Sequence, residues 1–384
     1  MEQNEIYELL SAEESISLEF KDERVRSESI AREMVSMANT LGGVILLGVQ
    51  DDVSVSGLSG QKKWEEWVHN IARTALNPSL SVDINLLTID EKVIMVLEVP
   101  KGKDKPYQTV HDGKYWIRAG STVRQATKEE LSRLFQSAGL VHFDISGVNR
   151  ASWRDLDQAK LSNYFSNVYD LDYRSTEDAE QKSILKNSSI LVDDGEGLVP
   201  SVGGVLLFSK APQNYLPHAS ISIAVINGTE LTDEVVQKKE IGGVLPEQVD
   251  DTLGFLLLHV PEPLIVDDSP QRKDTLAIDR KVLREVLVNA VCHRDYSMAH
   301  QKTRILLFKD RIEVCTPGRI ANTLTLEMIR YGNSAPRNIF LVKLMDNLRY
   351  IDGLGRGIPL IIKLMGDRVR FKEVGDRFCV ELFY

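Results

Sequence analysis

The chain has 384 residues, 46 Lys+Arg against 56 Asp+Glu and a net charge of −10, a length that predicts two or three domains at about 100–200 residues each. Hydrophobic residues make up 43% and charged residues 27%, which excludes a disordered chain. The acidic balance excludes a protein that coats nucleic acid by bulk positive charge, although a local basic groove is compatible with it.

The acidic N-terminus lacks the basic and apolar runs of a secretory signal. Ser27 or Ser29 is expected to cap a helix carrying Ile30, Met34, Val35, Ala38 and Leu41, which Gly42-Gly43 ends. Val44 to Val49 then reads as a buried central strand. Trp64 to Leu76 reads as a helix, Val82 to Leu87 and Val93 to Val99 as paired strands, and Asp155 to Val192 as polar and helical. Gly203-Gly204-Val205-Leu206-Leu207-Phe208 repeats the pattern of Gly42-Gly43-Val44-Ile45-Leu46-Leu47, so a second glycine-flanked strand and a weak internal duplication are expected. A strand at Ile221 to Ile226 and a loop at Asp267 to Asp274 follow. Beyond them come a helix at Ile278 to Cys292 and strands at Thr303 to Phe308 and Arg311 to Cys315. A helix at Phe340 to Arg349, a glycine-rich turn at Gly353 to Gly357, a helix at Pro359 to Met365 and a strand at Arg377 to Phe383 complete the chain. The expected division is 1–140, a connecting segment 141–272, and 273–384, all of α/β class.

Cys292, Cys315 and Cys379 have no paired spacing, so neither a disulfide framework nor a four-ligand zinc site is expected, and a reducing, cytoplasmic setting is the simplest reading. No apolar run approaches the roughly 20 residues that span a bilayer, so no membrane partner is expected.

Glu14 and Glu19 flank the start of one strand and Asp51 ends another, so their carboxylates are candidates to converge. Converged carboxylates repel one another unless a divalent cation neutralises them, and oxygen ligands suit Mg²⁺ or Mn²⁺. Such an ion activates water and stabilises a phosphodiester in transition. Lys21, Arg118 and Arg124, with Lys101, Lys103 and Lys105, are the candidate basic surface for nucleic acid; Tyr115 and Trp116 could stack on bases or belong to the core.

Three ordered motifs closely resemble the Schlafen/AlbA-type domain. They are Glu14-Ser15-Ile16-Ser17-Leu18-Glu19-Phe20-Lys21, Ala38-Asn39-Thr40-Leu41-Gly42-Gly43 running on to Asp51-Asp52, and Tyr115-Trp116-Ile117-Arg118-Ala119-Gly120-Ser121-Thr122. The resemblance implies an α+β domain with a metal-dependent endoribonuclease site acting on structured RNA such as tRNA, with Glu14, Glu19 and Asp51 as both catalytic residues and metal ligands. The family often has an acid where this chain has Gln50, so choosing Asp51 rests on alignment.

Glu285 and Asn289 lie four residues apart on one helix face. Their string, with Arg311 to Ile320, Ser334-Ala335-Pro336-Arg337-Asn338 and Gly353-Leu354-Gly355-Arg356-Gly357-Ile358, resembles the RecG-like ATPase domain of the gyrase/Hsp90/histidine-kinase (GHKL) group, an α/β sandwich. That resemblance implies a nucleotide pocket formed by Glu285, Asn289, Gly318, Gly353, Gly355 and Gly357, with ATP as ligand and Asn289 near Mg²⁺. The family's Asp-x-Gly-x-Gly motif is replaced by Cys315-Thr316-Pro317-Gly318, which argues against hydrolysis. No Gly-x-x-x-x-Gly-Lys-Ser/Thr loop is present, so no motor is implied.

The expected function is therefore metal-dependent cleavage of RNA, in stress or phage defence, with a C-terminal nucleotide-binding or association domain. The alternative is an ATP-binding, DNA-binding transcriptional regulator without catalytic activity. A homo-oligomer would offer more phosphate contact than one small groove on an acidic monomer.

Overall fold

The computed structural model describes residues 3–60, 62–261, 277–320, 324–351 and 355–384. The chain forms two compact units, 1–141 and 142–384. The first contains α1 (Gln3–Leu10), β1 (Leu18–Lys21), α2 (Ser27–Asn39), β2 (Gly43–Leu47), α3 (Trp64–Thr74), β3 (Leu76–Asn77), β4 (Asp83–Ile89), β5 (Lys92–Val99), β6 (Gln108–Thr109), β7 (Trp116–Ala119), β8 (Thr122–Gln125) and α4 (Lys128–Ser137). Its main sheet has the order β1-β2-β5-β4, with β1 parallel to β2 and the other pairs antiparallel.

The uninterrupted apolar run of β2 follows from burial on both faces. Ile45 and Leu47 pack with Ile30, Met34 and Val35 of α2, while Leu46 packs with Leu18, Phe20 and Val96 on the opposite face. Gly42 has φ +78°, and a Cβ there would lie 2.6 Å from the Lys101 nitrogen; at Gly43 it would lie 2.5 Å from the Ser17 carbonyl. Only glycine fits so tight a helix-to-strand turn. The expected serine cap is absent, since Arg26 is the N-cap and makes no side-chain capping bond.

The second unit contains α5 (Gln158–Tyr169), α6 (Asp178–Asn187), β9 (Leu191–Asp193), β10 (Leu198–Pro200), α7 (Val202–Phe208), β11 (Ile221–Ile226), β12 (Val235–Ile241), α8 (Leu245–Leu257), α9 (Arg280–Cys292), β13 (Thr303–Leu307), β14 (Arg311–Pro317), α10 (Leu326–Arg330), α11 (Ile339–Asn347), α12 (Gly357–Met365), β15 (Val369–Val374) and β16 (Arg377–Phe383). Its six-stranded sheet has the order β12-β11-β13-β14-β16-β15. One face packs into a single core with α8, α9, α11 and α12 through residues such as Ile305, Val314, Leu253, Leu287, Leu344 and Ile361.

Three expectations are corrected here. Residues 203–208 lie in the helix α7, not a strand. The Ser201 hydroxyl caps this helix by accepting the Gly204 N–H at 3.0 Å, and both glycines permit close packing, since a Cβ would lie 2.6 Å from the Phe340 ring at Gly203 and 2.5 Å from the Ile190 carbonyl at Gly204. The duplication therefore has no structural counterpart. The 141–272 segment is not separate from 273–384: β11 pairs in parallel with β13, so both segments share one sheet and one core. Finally, Cys315 and Cys379 face each other across β14 and β16 and form a disulfide, with Cα atoms 4.1 Å apart. Strand register joins them across a sequence separation of 64, which linear spacing does not reveal. Cys292 is the buried free thiol. The loop expected at 267–274 lies outside the described residues. No described helix is long and apolar enough to cross a membrane.

Candidate functional site

In the first unit the Ala38-Asn39-Thr40 motif ties α2 to the strands beyond it. The Asn39 side chain donates to the carbonyls of Tyr107 (2.8 Å) and Trp116 (2.9 Å) and accepts the Tyr107 N–H at 2.8 Å. Lys105, expected on a basic surface, is buried and donates to the carbonyls of Asn39 and Thr40, both at 2.9 Å, so it serves the end of α2. Thr40 Oγ1 accepts the Arg118 N–H at 3.1 Å.

Those anchors carry Arg118 into the interior, where its guanidinium is wholly buried between Glu19 (2.7 Å) and Glu33 (2.9 Å). It also donates to the Ser15 carbonyl at 2.7 Å and the Ser121 carbonyl at 3.1 Å. Lys21 pairs with the remaining Glu19 oxygen. Burial and the neighbouring Glu19 charge push the Glu33 carboxyl up to about 7, against the opposing charges of Lys21 and Arg118. Glu33 was not singled out in the sequence, although a carboxylate on the buried stripe with Ile30, Met34 and Met37 is the signal that marks it.

This geometry does not bring the expected metal trio together. Both Glu19 oxygens are engaged by cations, and Glu14 Oε1 accepts the Phe20 N–H at 3.0 Å. Asp51 is exposed in the turn after β2. Among the described residues no group of three or more His, Cys, Asp or Glu side chains is arranged to hold a metal ion. The residues therefore do not fit a divalent cation in this arrangement. Nor are Arg118 and Lys21 available to nucleic acid as expected, because both belong to the ion network. Arg124 is exposed but forms a two-pronged pair with Glu130 at 2.8 and 2.7 Å. Trp116 is half-buried and donates to Thr109 Oγ1 at 3.0 Å.

In the second unit four of the six expected nucleotide residues, Asn289, Gly318, Gly355 and Gly357, converge on one cleft, and Glu285 is not among the residues that line it. A cleft between α9, β14, β16 and α12, about 1020 Å³ including its open mouth, is lined by Asn289, His293, Gly318, Arg319, Arg337, Gly355 and Gly357. Val286, Ala290, Val314, Ile358 and Phe378 give it an apolar interior. Gly357 brings the α12 backbone against α9: a Cβ there would lie 2.6 Å from Glu285 Oε2 and 3.4 Å from Asn289 Nδ2. Gly318 has φ +109° and would carry a Cβ 2.9 Å from that of Asp295. Gly353 lies outside the described residues.

Two cations missing from the expected set, Arg319 and Arg337, also line this cleft. Arg337 is held by Asp295 at 3.3 Å and by the Arg319 carbonyl at 2.7 Å, whereas the buried Arg319 Nε has no hydrogen-bond partner. Burial and the Arg337 charge push His293 down to about 4, leaving a neutral imidazole near neutral pH. Thr316 also lines the cleft, and its hydroxyl donates to the Ala290 carbonyl at 2.8 Å. Cys292, pushed up to about 12 by burial, is an inert core thiol.

Residues 14–127 match the family described as "Schlafen, AlbA_2", and residues 300–382 match that described as "Putative ATP-dependent DNA helicase recG C-terminal". The chain is thus a mixed α/β protein with a Schlafen/AlbA-type N-terminal domain and an ATPase-like C-terminal domain, the architecture expected from its motifs. Among solved structures, the DIP2311 protein from Corynebacterium diphtheriae is 20% identical over 99% of this chain and 79% of its own, with a TM-score of 0.49. The N-terminal domain of a RecG-related protein from Nitrosomonas europaea is 23% identical over 32% of this chain and 92% of its own, with a TM-score of 0.26. No curated protein matches the chain.

Proposed function

We propose that this is a nucleotide-binding, nucleic-acid-associated protein that acts as a regulator through the cleft of its C-terminal unit. The families matched by its two domains are nucleic-acid-related and ATPase-like. The observation that carries the nucleotide part is the convergence of Asn289, Gly318, Gly355 and Gly357 on one cleft with two arginines at its wall. The group supported is ATP with Mg²⁺, which supplies neutralisation of the phosphate charge when bound. Asn289 and Glu285 would hold the metal, the glycines leave room for the phosphates, and Arg319 and Arg337 offer donors to their oxygens. The apolar interior takes the base without the family's Asp. Titration calorimetry with Mg-ATP tests this reading: binding that Asn289→Ala weakens at least tenfold supports it, and no heat from the unaltered chain contradicts it.

Metal-dependent cleavage of structured RNA is the second reading, favoured by the Schlafen-type motif in which Glu14 and Glu19 flank the start of β1. It demands an arrangement in which Arg118 and Lys21 release Glu19. Incubation of labelled tRNA and duplex DNA with the protein and Mn²⁺, Mg²⁺ or EDTA separates the two. Metal-dependent RNA cleavage lost in Glu14→Ala/Glu19→Ala would establish the nuclease. Intact RNA, with salt-sensitive DNA binding by both proteins, would favour the regulator.

A further inference from the structure

The wall of the cleft is chemically one-sided. Among the described residues that line it are two arginines, Arg319 and Arg337, and no aspartate or glutamate, in a chain whose acids outnumber its lysines and arginines by 56 to 46. A cleft lined by one sign of charge focuses its field on a ligand of the opposite sign.

The two arginines are not equivalent. Arg337 has both terminal nitrogens engaged, since Nη1 donates to Asp295 at 3.3 Å and Nη2 to the Arg319 carbonyl at 2.7 Å. Arg319 is half-buried, its Nε is buried without a hydrogen-bond partner, and among the described residues its guanidinium makes neither a hydrogen bond nor an ion pair. The backbone that carries it is nonetheless fixed at three successive residues. The Gly318 N–H donates to the Asp376 carbonyl at 2.8 Å, the Arg319 carbonyl accepts Arg337, and the Ile320 N–H donates to Glu373 Oε1 at 2.8 Å. Gly318 also packs against Asp295, the residue that holds Arg337. A loop anchored in this way displays its guanidinium with little conformational freedom left to lose, and a donor without a partner gains one when an anion arrives. Asn289 meets a ligand elsewhere: Gly357 packs on α9 at Glu285 and Asn289, whereas Gly318 and Arg337 pack at Asp295, beyond the end of that helix.

We propose that Arg319 is the residue by which the cleft reads phosphate charge, so that it favours phosphorylated nucleotides over the free nucleoside, with Arg337 as the positioning residue that holds the Arg319 backbone. This deepens the nucleotide reading above and rests on it. A planar guanidinium fork suits phosphate, whose oxygens accept two parallel hydrogen bonds from it. The apolar wall formed by Val286, Val314 and Phe378 offers no such discrimination.

The test uses the full chain at constant Mg²⁺ and the variants Arg319→Gln, Arg319→Lys, Arg337→Gln and Arg319→Gln/Arg337→Gln, with thermal melting to establish that each folds. ATP is titrated by calorimetry, and adenosine directly or by displacement against ATP. Arg319→Gln is expected to weaken ATP about tenfold and to leave adenosine unchanged. Arg319→Lys, which keeps the charge, should recover part of that loss. Because Arg337 acts through Arg319, Arg337→Gln should also weaken ATP, and the double variant should bind it no more weakly than Arg319→Gln does. A further loss in the double variant would overturn the positioning role of Arg337. Equal weakening of ATP and adenosine by Arg319→Gln would assign the residue to the shape of the cleft and overturn the proposal, as would an unchanged ATP affinity. If Arg337→Gln fails to fold, Arg319→Gln decides alone, because among the described residues the Arg319 guanidinium has no hydrogen bond to lose. ATP binding that Asn289→Ala weakens and Arg319→Gln does not would keep the nucleotide reading and remove this one, whereas no heat of ATP binding from the unaltered chain would remove both.

Discussion

Arg118 decides how the N-terminal motifs are understood, because its wholly buried guanidinium satisfies Glu19 and Glu33 together. Arg118→Met should destabilise the N-terminal unit by about 3–5 kcal/mol, measured by denaturant unfolding, since it leaves buried carboxylates without their counter-charge. Glu33 supplies a pH signature. Its folded pKa of about 7 lies above the ordinary 4.5, so the folded state retains a proton that the unfolded state has released. Stability should therefore fall as pH rises from about 5 to 7, by roughly 2–3 kcal/mol, and Glu33→Gln should remove most of that slope in melts across the range. In the cleft, Gly357→Ala places a methyl group 2.6 Å from Glu285 Oε2 and should lower ATP affinity about tenfold in calorimetry. At this scale the sequence was partly legible. Asn289 and the glycines were visible because their chemistry is local, whereas burial of Arg118 depends on clamps from Asn39 and Thr40 that spacing cannot display.

Among the elements, α7 shows why an apolar run between glycines is ambiguous: Val202–Phe208 is as apolar as β2, and a side-chain cap at Ser201 with close approach at both glycines makes it a buried helix. The amphipathic helix at Trp64–Thr74 and the hairpin of β4 and β5 were readable from periodicity alone. The β14–β16 pair was readable as strands, but the Cys315–Cys379 bond that staples it depends on register. With 64 residues separating its ends, loop-closure entropy sets its contribution at about 4 kcal/mol or less. Reduction, or Cys315→Ser/Cys379→Ser, should lower the melting temperature of the second unit and leave that of the first unchanged. Unfolding followed by calorimetry with and without reductant checks this, and alkylation before and after reduction counts the thiols.

For the whole molecule, the two matched domains were legible because their motifs are dense and ordered, while the extent of the second unit was not. Parallel pairing of β11 with β13 joins residues far apart in sequence, so the sheet is completed by strands lying upstream of the matched ATPase-like region. A fragment of residues 273–384 should therefore fail to fold cooperatively by circular dichroism, and one of 142–384 should fold and keep the cleft. The central claim, that this cleft receives a nucleotide, is tested most directly by hydrogen exchange on the full chain with and without a Mg-bound, non-hydrolysable ATP analogue. The account predicts protection concentrated in residues 285–293, 314–320 and 355–361, lost in Asn289→Ala. Unchanged exchange in all three segments at saturating analogue would contradict it.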